Sequence, residues 1–366
     1  MVEHADTLDT PLIEEHRSLG ARLGAFGGWM MPIQYTGIIE EHLWTRKHAG
    51  LFDICHMGEF SIEADLRKSN LERLVTIDLK GMKISSCRYG FMLNEEGGIV
   101  DDLLVYRTGD TSWMAVVNAA TTPGDESHMR KHLTGFTRFE NVSPALGKLD
   151  LQGPEAGLVL AKLAGADIER LKYYNFGYFT VLGEKIIISR TGYTGELGYE
   201  LYMPNQKIAL LWKKILEDDR VKPIGLGARD TLRIEMGYNL YGQDIDAETT
   251  PLEAGLERFI DWNKDFIGKD ALLRQKKAGL PKRMIYFMAN SRRSPRHNYQ
   301  IFCDAQDAGT VTSGSFSPSL GCGIGMGYVS GEVAPGGQIL LQEGAISISA
   351  KVVDKPFYKM GSAKNH

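Results

Sequence analysis

The stretch NEEGGIVDDLLVYR, residues 94–107, carries more structural information than any other part of the chain. Gly97 and Gly98 mark a turn, and residues 99–107 are rich in β-branched and apolar types, the signal of a strand. Gly109 and Asp110 supply the next turn, and residues 112–118 repeat the strand pattern, so the two segments read as a β-hairpin. Successive side chains on a strand project to opposite faces, so Asp101 and Asp102 do not share one. One points inward while the other faces solvent or caps the turn. An inward carboxylate at the mouth of an apolar cleft is a candidate to bind a substrate nitrogen or to act as a base. Two turn carboxylates after a glycine pair are the plainer alternative, and local spacing leaves both open.

Outward from this hairpin, helix and strand signals alternate irregularly, without the steady rhythm of a doubly wound sheet. Residues 38–48 are rich in helix formers, with Glu40 and Glu41 at the start and Arg46, Lys47 and His48 at the end, where they complement the helix dipole. Ile208, Leu211, Trp212, Ile215 and Leu216 fall at helical spacing and predict an amphipathic surface helix. Residues 185–190 (KIIISR) predict a strand that runs into the glycine-punctuated RTGYTGELGYE. Residues 276–283 (KKAGLPKR) are a polar junction and the best boundary in the chain. Beyond it come MIYFMA, YQIFC, GTVTSG, GMGYV, GGQILL and ISISAKVV, short apolar segments cut by turns, as in a small β-barrel or sandwich.

Composition narrows the function classes. A 366-residue chain suggests two or three domains and buries a sizeable core without staples. Forty-two basic and 46 acidic residues leave a net charge of −4, which argues against a general grip on nucleic acid. No apolar run is long enough to cross a membrane, and the acidic opening MVEHADTLDTPLIEEH is unlike a secretory or transit signal. Cys55, Cys87, Cys303 and Cys322 form no CxxC pair and are too sparse for a secreted disulfide framework, so a reducing cytoplasm is the expected location. GCGIGMG at residues 321–327 does not fit GxGxxG and has no following helix, so close-packing glycines are expected there instead of a nucleotide site. His128 and His132 are four apart but lack the HExxH glutamate; solvated surface histidines are expected, and no metal. Arg229 and Arg233, also four apart, suit either salt bridges or a grip on a carboxylate.

At these residues the sequence resembles the T-protein (aminomethyltransferase) family of the glycine cleavage system, a folate-dependent group. The matching segments run nearly end to end, among them FGGWMMPIQYTGIIEEH, AGLFDICHMGEF, LNEEGGIVDDLLVYR, VVNAA, LQGPEA, RTGYTGELGYELY, PIGLGARDTLRIEMGYNLYGQDID, TPLEAGL and VTSGSFSPSLGCGIGMGYV. The resemblance implies an α+β fold of three domains in a cloverleaf round a central folate channel. Two interleaved domains would occupy residues 1–280 and a C-terminal β-barrel-like domain residues 281–366. It implies that Asp101, the first acid of GGIVDD, lies beside the reactive nitrogens of tetrahydrofolate. Asn118, Tyr193, Glu200 and Arg229 would bind the pterin, Met57 and Tyr89 would form apolar wall, and Tyr174 is a further candidate.

The implied reaction takes an aminomethyl group from the lipoyl thiol of a carrier, the H-protein, and gives its one-carbon unit to tetrahydrofolate as ammonia leaves. The alternative within the same fold is a tetrahydrofolate-dependent demethylase acting on a small methylated sulfonium, amine or ether. A third class is a folate-binding regulator without transfer activity, against which the retained site residues argue. The chain departs from the family pattern at Arg258, where tryptophan is usual, at Cys55, where serine is common, and at Asn298, where glycine is usual.

Overall fold

Residues 7–364 are described by the computed structural model; residues 1–6, which open the acidic N-terminal stretch, and residues 365–366 lie outside the described residues. Strands Ile99–Arg107 and Ser112–Val117 form the expected antiparallel hairpin, with Leu104 opposite Val116 and Tyr106 opposite Met114. Ser86–Leu93 flanks it on one side, and Gly58–Glu63 followed by Arg138–Asn141 on the other, making a five-stranded sheet. Glycine sets the turn that leads in. Gly97 has φ +86°, and a Cβ on Gly98 would lie 1.8 Å from the Ala247 carbonyl oxygen, so neither position suits a larger residue.

Both faces of this sheet are covered. Leu103 and Val105 join Phe60, Ile62 and Trp113 in one core, closed by Met129 of the helix Thr122–His132. Leu104 and Tyr106 project the other way, toward Phe176 and Tyr202 of a second sheet.

That second sheet has six strands in the order Phe176–Val181, Glu184–Ser189, Gly198–Pro204, Leu146–Gln152, Ala49–Asp53 and Val221–Ile224. Ala49–Asp53 precedes the whole five-stranded sheet in the chain and the other five strands follow it, so the two units interleave. The helix Ile208–Leu216 buries Ile208, Leu211, Trp212 and Ile215 against Leu149, Leu151 and Leu201, the face that its spacing predicts. Each such side chain contributes about 1.5–3 kcal/mol by leaving water.

The six C-terminal apolar segments are all strands of one closed barrel: Arg283–Ala289, Cys322–Val329, Gln306–Ser317, Gln300–Cys303, Gln338–Glu343 and Ile346–Val353, the last pairing back to the first. Phe287, Ile301, Val311 and Leu341 fill it. The GCGIGMG stretch runs into the strand Cys322–Val329, where a Cβ on Gly325 would lie 2.7 Å from the Phe287 ring; the glycines serve close packing, as expected.

Buried ion pairs tie the barrel and the neighbouring loops to the rest. In the helix Leu226–Glu235, Arg233 is 1% exposed and donates to Asp244 at 2.6 Å and to Ser313 of the barrel at 2.8 Å. Arg46 lies in the last turn of its helix, as expected, and is buried there, pairing with Glu196 and Glu235, each at 2.8 Å. Its helix, Ile38–Lys47, is inserted between other elements, so a charge pattern typical of a solvated helix here marks an internal clamp.

Candidate active site

Tyr89, Asp102, Leu104, Tyr106 and Asn118 lie on the inner face of the five-stranded sheet, or continue it, and Met57, Tyr174, Glu200 and Tyr202 face them from the second sheet and its loops. Most of these side chains are half-buried, as the lining of a narrow channel is. Tyr174 holds φ +60°, a conformation stabilised because its backbone N–H donates to Arg190 O at 3.0 Å and its carbonyl accepts from Cys87 N at 2.9 Å.

The adjacent acids divide in the opposite sense to the expectation. Asp101, expected at the reacting nitrogens, has the parity of Leu103 and Val105, is 0% exposed and faces the sheet's own core and the helix Thr122–His132. Asp102 has the parity of Leu104 and Tyr106 and faces the channel. Strand alternation requires the split, and the packing of the hairpin decides its direction.

Asn118 links the two acids. Its side-chain amide donates to Asp101 Oδ1 and Asp102 Oδ1, both at 2.8 Å, and its backbone N–H donates to Asp101 Oδ2 at 3.0 Å. Tyr89 donates its hydroxyl to Asp102 Oδ2 at 2.8 Å. Burial, and then the charge of Asp101, push the Asp102 carboxyl up to about 7. A carboxyl in that range exchanges protons near neutrality.

Across the channel a second polar set grows from the strand Leu146–Gln152. Lys148, Asp150 and Gln152 alternate with Leu149 and Leu151, yet all three are at most 1% exposed. Lys148 Nζ lies 3.0 Å from Glu200 Oε2, 3.7 Å from the Met57 sulfur and 5.0 Å over the Tyr202 ring. Asp150 sits opposite Glu200 in the ladder and accepts from Arg229 at 2.8 Å. Burial raises the Asp150 carboxyl to about 6, against the pull of Arg229. Arg229 also lies 5.0 Å over the Tyr193 ring, and Tyr193 stacks on Tyr238 at 5.7 Å with its hydroxyl on the Asn239 carbonyl.

Two further groups near this space are incompletely bonded. Asn239 is 7% exposed and neither end of its amide has a hydrogen-bond partner among the described residues; the same holds for Nδ1 of the buried His56. Burial pulls the His56 imidazole down to about 4, so it is neutral at pH 7.

Sequence reasoning missed Asp102 as the channel acid, and Lys148, Asp150, Tyr238 and Asn239 altogether. The alternation in LGKLDLQ was the available signal for Lys148 and Asp150, but a half-exposed strand gives the same pattern. His128 is not fully solvated as expected: it is half-buried, packs at a tilt against the His132 ring at 4.7 Å and is pulled down to about 4 by burial. Arg258 lies exposed over the outer side of the Phe259 ring at 4.7 Å, and Phe259 in turn packs edge-on to Tyr89 at 4.8 Å. Asn298 has φ +70°, which explains why glycine is usual there and why asparagine replaces it without difficulty. Cys55 donates to the Lys148 carbonyl and accepts its N–H, bonds that serine also makes.

Comparison with known proteins agrees along the whole chain. Residues 12–264 match the GCVT N-terminal domain model, and residues 282–359 match the glycine cleavage T-protein C-terminal barrel domain model. An aminomethyltransferase of Halothermothrix orenii is 45% identical over 353 residues, covering 95% of this chain and 99% of that protein. One from Listeria monocytogenes is 43% identical over 360 residues, covering 97% and 99%. The crystal structure of glycine cleavage system aminomethyltransferase T from Bartonella henselae superposes with a TM-score of 0.90 at 33% identity, covering 97% of this chain and 99% of that one. The chain therefore belongs to the glycine cleavage T-protein family of aminomethyltransferases.

Proposed function

We propose that this protein moves a one-carbon unit from an aminomethyl-lipoyl carrier, the H-protein of a glycine cleavage system, to tetrahydrofolate, with release of ammonia. The observation that carries the reading is the pairing of hydrogen-bonding sets across one aromatic-lined space, Tyr89–Asp102–Asn118 on one wall and Glu200–Lys148 with Arg229–Asp150 on the other. The near full-length match to aminomethyltransferases favours this over the demethylase alternative.

The residues fit a pterin. Its ring presents both N–H donors and lone-pair acceptors, which suit the carboxylates of Asp102 and Glu200 and the guanidinium of Arg229. The unsatisfied amide of Asn239 offers one more donor and acceptor. Met57, Tyr89, Tyr174 and Tyr193 supply faces for a flat ring. Bound tetrahydrofolate supplies the nitrogens that take up the one-carbon unit. Asp102 accepts a hydrogen bond from the ligand and offsets positive charge that develops beside it, while Tyr89 and Asn118 fix its orientation. Such preorganised charge lowers a barrier by several kcal/mol. Lys148 pairs with Glu200 in a buried setting and orients its carboxylate toward the channel as an acceptor. The free thiols suit a reducing cytoplasm, and no helix among the described residues is long and apolar enough to cross a membrane.

Single-turnover transfer with tetrahydrofolate and chemically loaded aminomethyl-lipoyl carrier tests the reading. Methylenetetrahydrofolate and ammonia should appear together in stoichiometric amounts. Folate binding without either product would overturn it.

A further inference from the structure

Asp101 is completely buried on the side of its strand away from the channel, and Asp125, in the first turn of the helix Thr122–His132, is 1% exposed beside it. The two carboxyls are within hydrogen-bond reach of each other. Neither oxygen of Asp125 makes a well-formed hydrogen bond among the described residues, the Thr121 hydroxyl lying beside it, so with both acids ionised their repulsion is offset mainly by the Asn118 donors on Asp101. Among the described residues, no lysine or arginine forms an ion pair with either acid. Two carboxylates in such contact hold one proton between them.

We propose that Asp125 is a positioning residue for the channel carboxylate: it shares a proton with Asp101, and the resulting monoanionic pair fixes the Asn118 amide that orients Asp102. The inference rests on Asp102 being the acid that meets the folate. The chain of contact runs from Asp125 to Asp101, through the Asn118 amide to Asp102, and from there to the channel. The same helix start is pinned to Asn118, whose carbonyl accepts from the Thr121 and Thr122 hydroxyls.

Burial, with the charge of Asp125 next, raises the Asp101 carboxyl well above the usual range, and burial raises Asp125 to about 7. The titratable groups facing the pair are Asp102 on the same strand and Tyr241 on the loop that covers Ile99, both of them acids. His128 and Lys131 on the helix line an outer cavity of about 480 Å³ that also reaches Asp125, on the side away from the channel.

The sign follows from linkage. The folded pair binds a proton that the unfolded chain has released by pH 6, so stability falls as pH rises through neutrality. Asp125→Asn supplies a permanent neutral partner and Asp125→Ala supplies none. Thermal midpoints of the full chain without ligand, measured from pH 5.5 to 8.5, should fall more steeply for the wild type than for Asp125→Asn. In single-turnover transfer Asp125→Ala should slow the rate about tenfold with the carrier KM unchanged, and Asp125→Asn should recover most of that loss. Equal slopes for wild type and Asp125→Asn would overturn the shared proton. A rate for Asp125→Ala equal to wild type, or no recovery in Asp125→Asn, would overturn the positioning role. If Asp102→Asn binds tetrahydrofolate like the wild type, the folate reading fails, while the ligand-free pH slopes still judge the pair.

Discussion

Replacing Lys148 by methionine removes the cation that pairs with the buried Glu200. The pair is 1% and 8% exposed at the side chains and 3.0 Å apart, so solvent screens it little. Methionine fills a similar volume beside Met57 and Tyr202, and packing losses stay near 1 kcal/mol. The larger cost is electrostatic: a buried carboxylate left without its partner destabilises by about 3–5 kcal/mol. Glu59 adds to it, because burial already raises that acid to about 8 against the pull of Lys148. Without the lysine, Glu59 loses the pull that holds its carboxyl down and keeps its proton to higher pH in the folded state. A group protonated only in the folded state favours folding at low pH and loses that contribution as pH rises. Urea unfolding should therefore show Lys148→Met destabilised by about 3–5 kcal/mol at pH 8 and by clearly less at pH 5.5. The double variant Lys148→Met/Glu200→Gln should regain about half of the loss at pH 8. A loss under about 1 kcal/mol at pH 8, or no dependence on pH, would refute the reasoning.

Arg233→Met should cost about 3–5 kcal/mol by the same logic, because it strands the fully buried Asp244 and frees Ser313, and differential scanning calorimetry should show the barrel uncoupling from the rest. Asn298→Ala should lower stability by about 1 kcal/mol in urea unfolding, whereas Asn298→Gly should stay within about 0.5 kcal/mol, since φ +70° penalises a Cβ that has no compensating local hydrogen bond.

The hairpin, the amphipathic helix and the six barrel strands were legible in the sequence because each is a local pattern bounded by turn residues. The direction in which Asp101 and Asp102 split was not. Both faces of their sheet are buried, one under Met129 and the other against Phe176 and Tyr202, so apolar neighbours on either side give no contrast to read. A register shift at Met92 and Leu93 also alters the local pairing just where the acids sit. The burial of Arg46 was hidden for a related reason: Glu196 and Glu235, which capture it, lie 150 and 189 residues away. Resemblance brought Met57, Tyr89, Asn118, Tyr174, Tyr193, Glu200 and Arg229 into consideration, and they remain proposals for the folate site. Lys148 and Asp150 became visible only once the strand that carries them was seen to be covered on both sides.

The most direct test of the account compares Asp102→Asn with Asp101→Asn in single-turnover transfer, with tetrahydrofolate affinity measured on the same samples. On the proposed reading Asp102 meets the ligand while Asp101 stands behind the strand, so Asp102→Asn should slow transfer by about 10²–10³ and weaken folate binding, whereas Asp101→Asn should cost about tenfold or less. The reverse order, with Asp101→Asn abolishing transfer and Asp102→Asn within about twofold of wild type, would contradict the assignment of the channel acid.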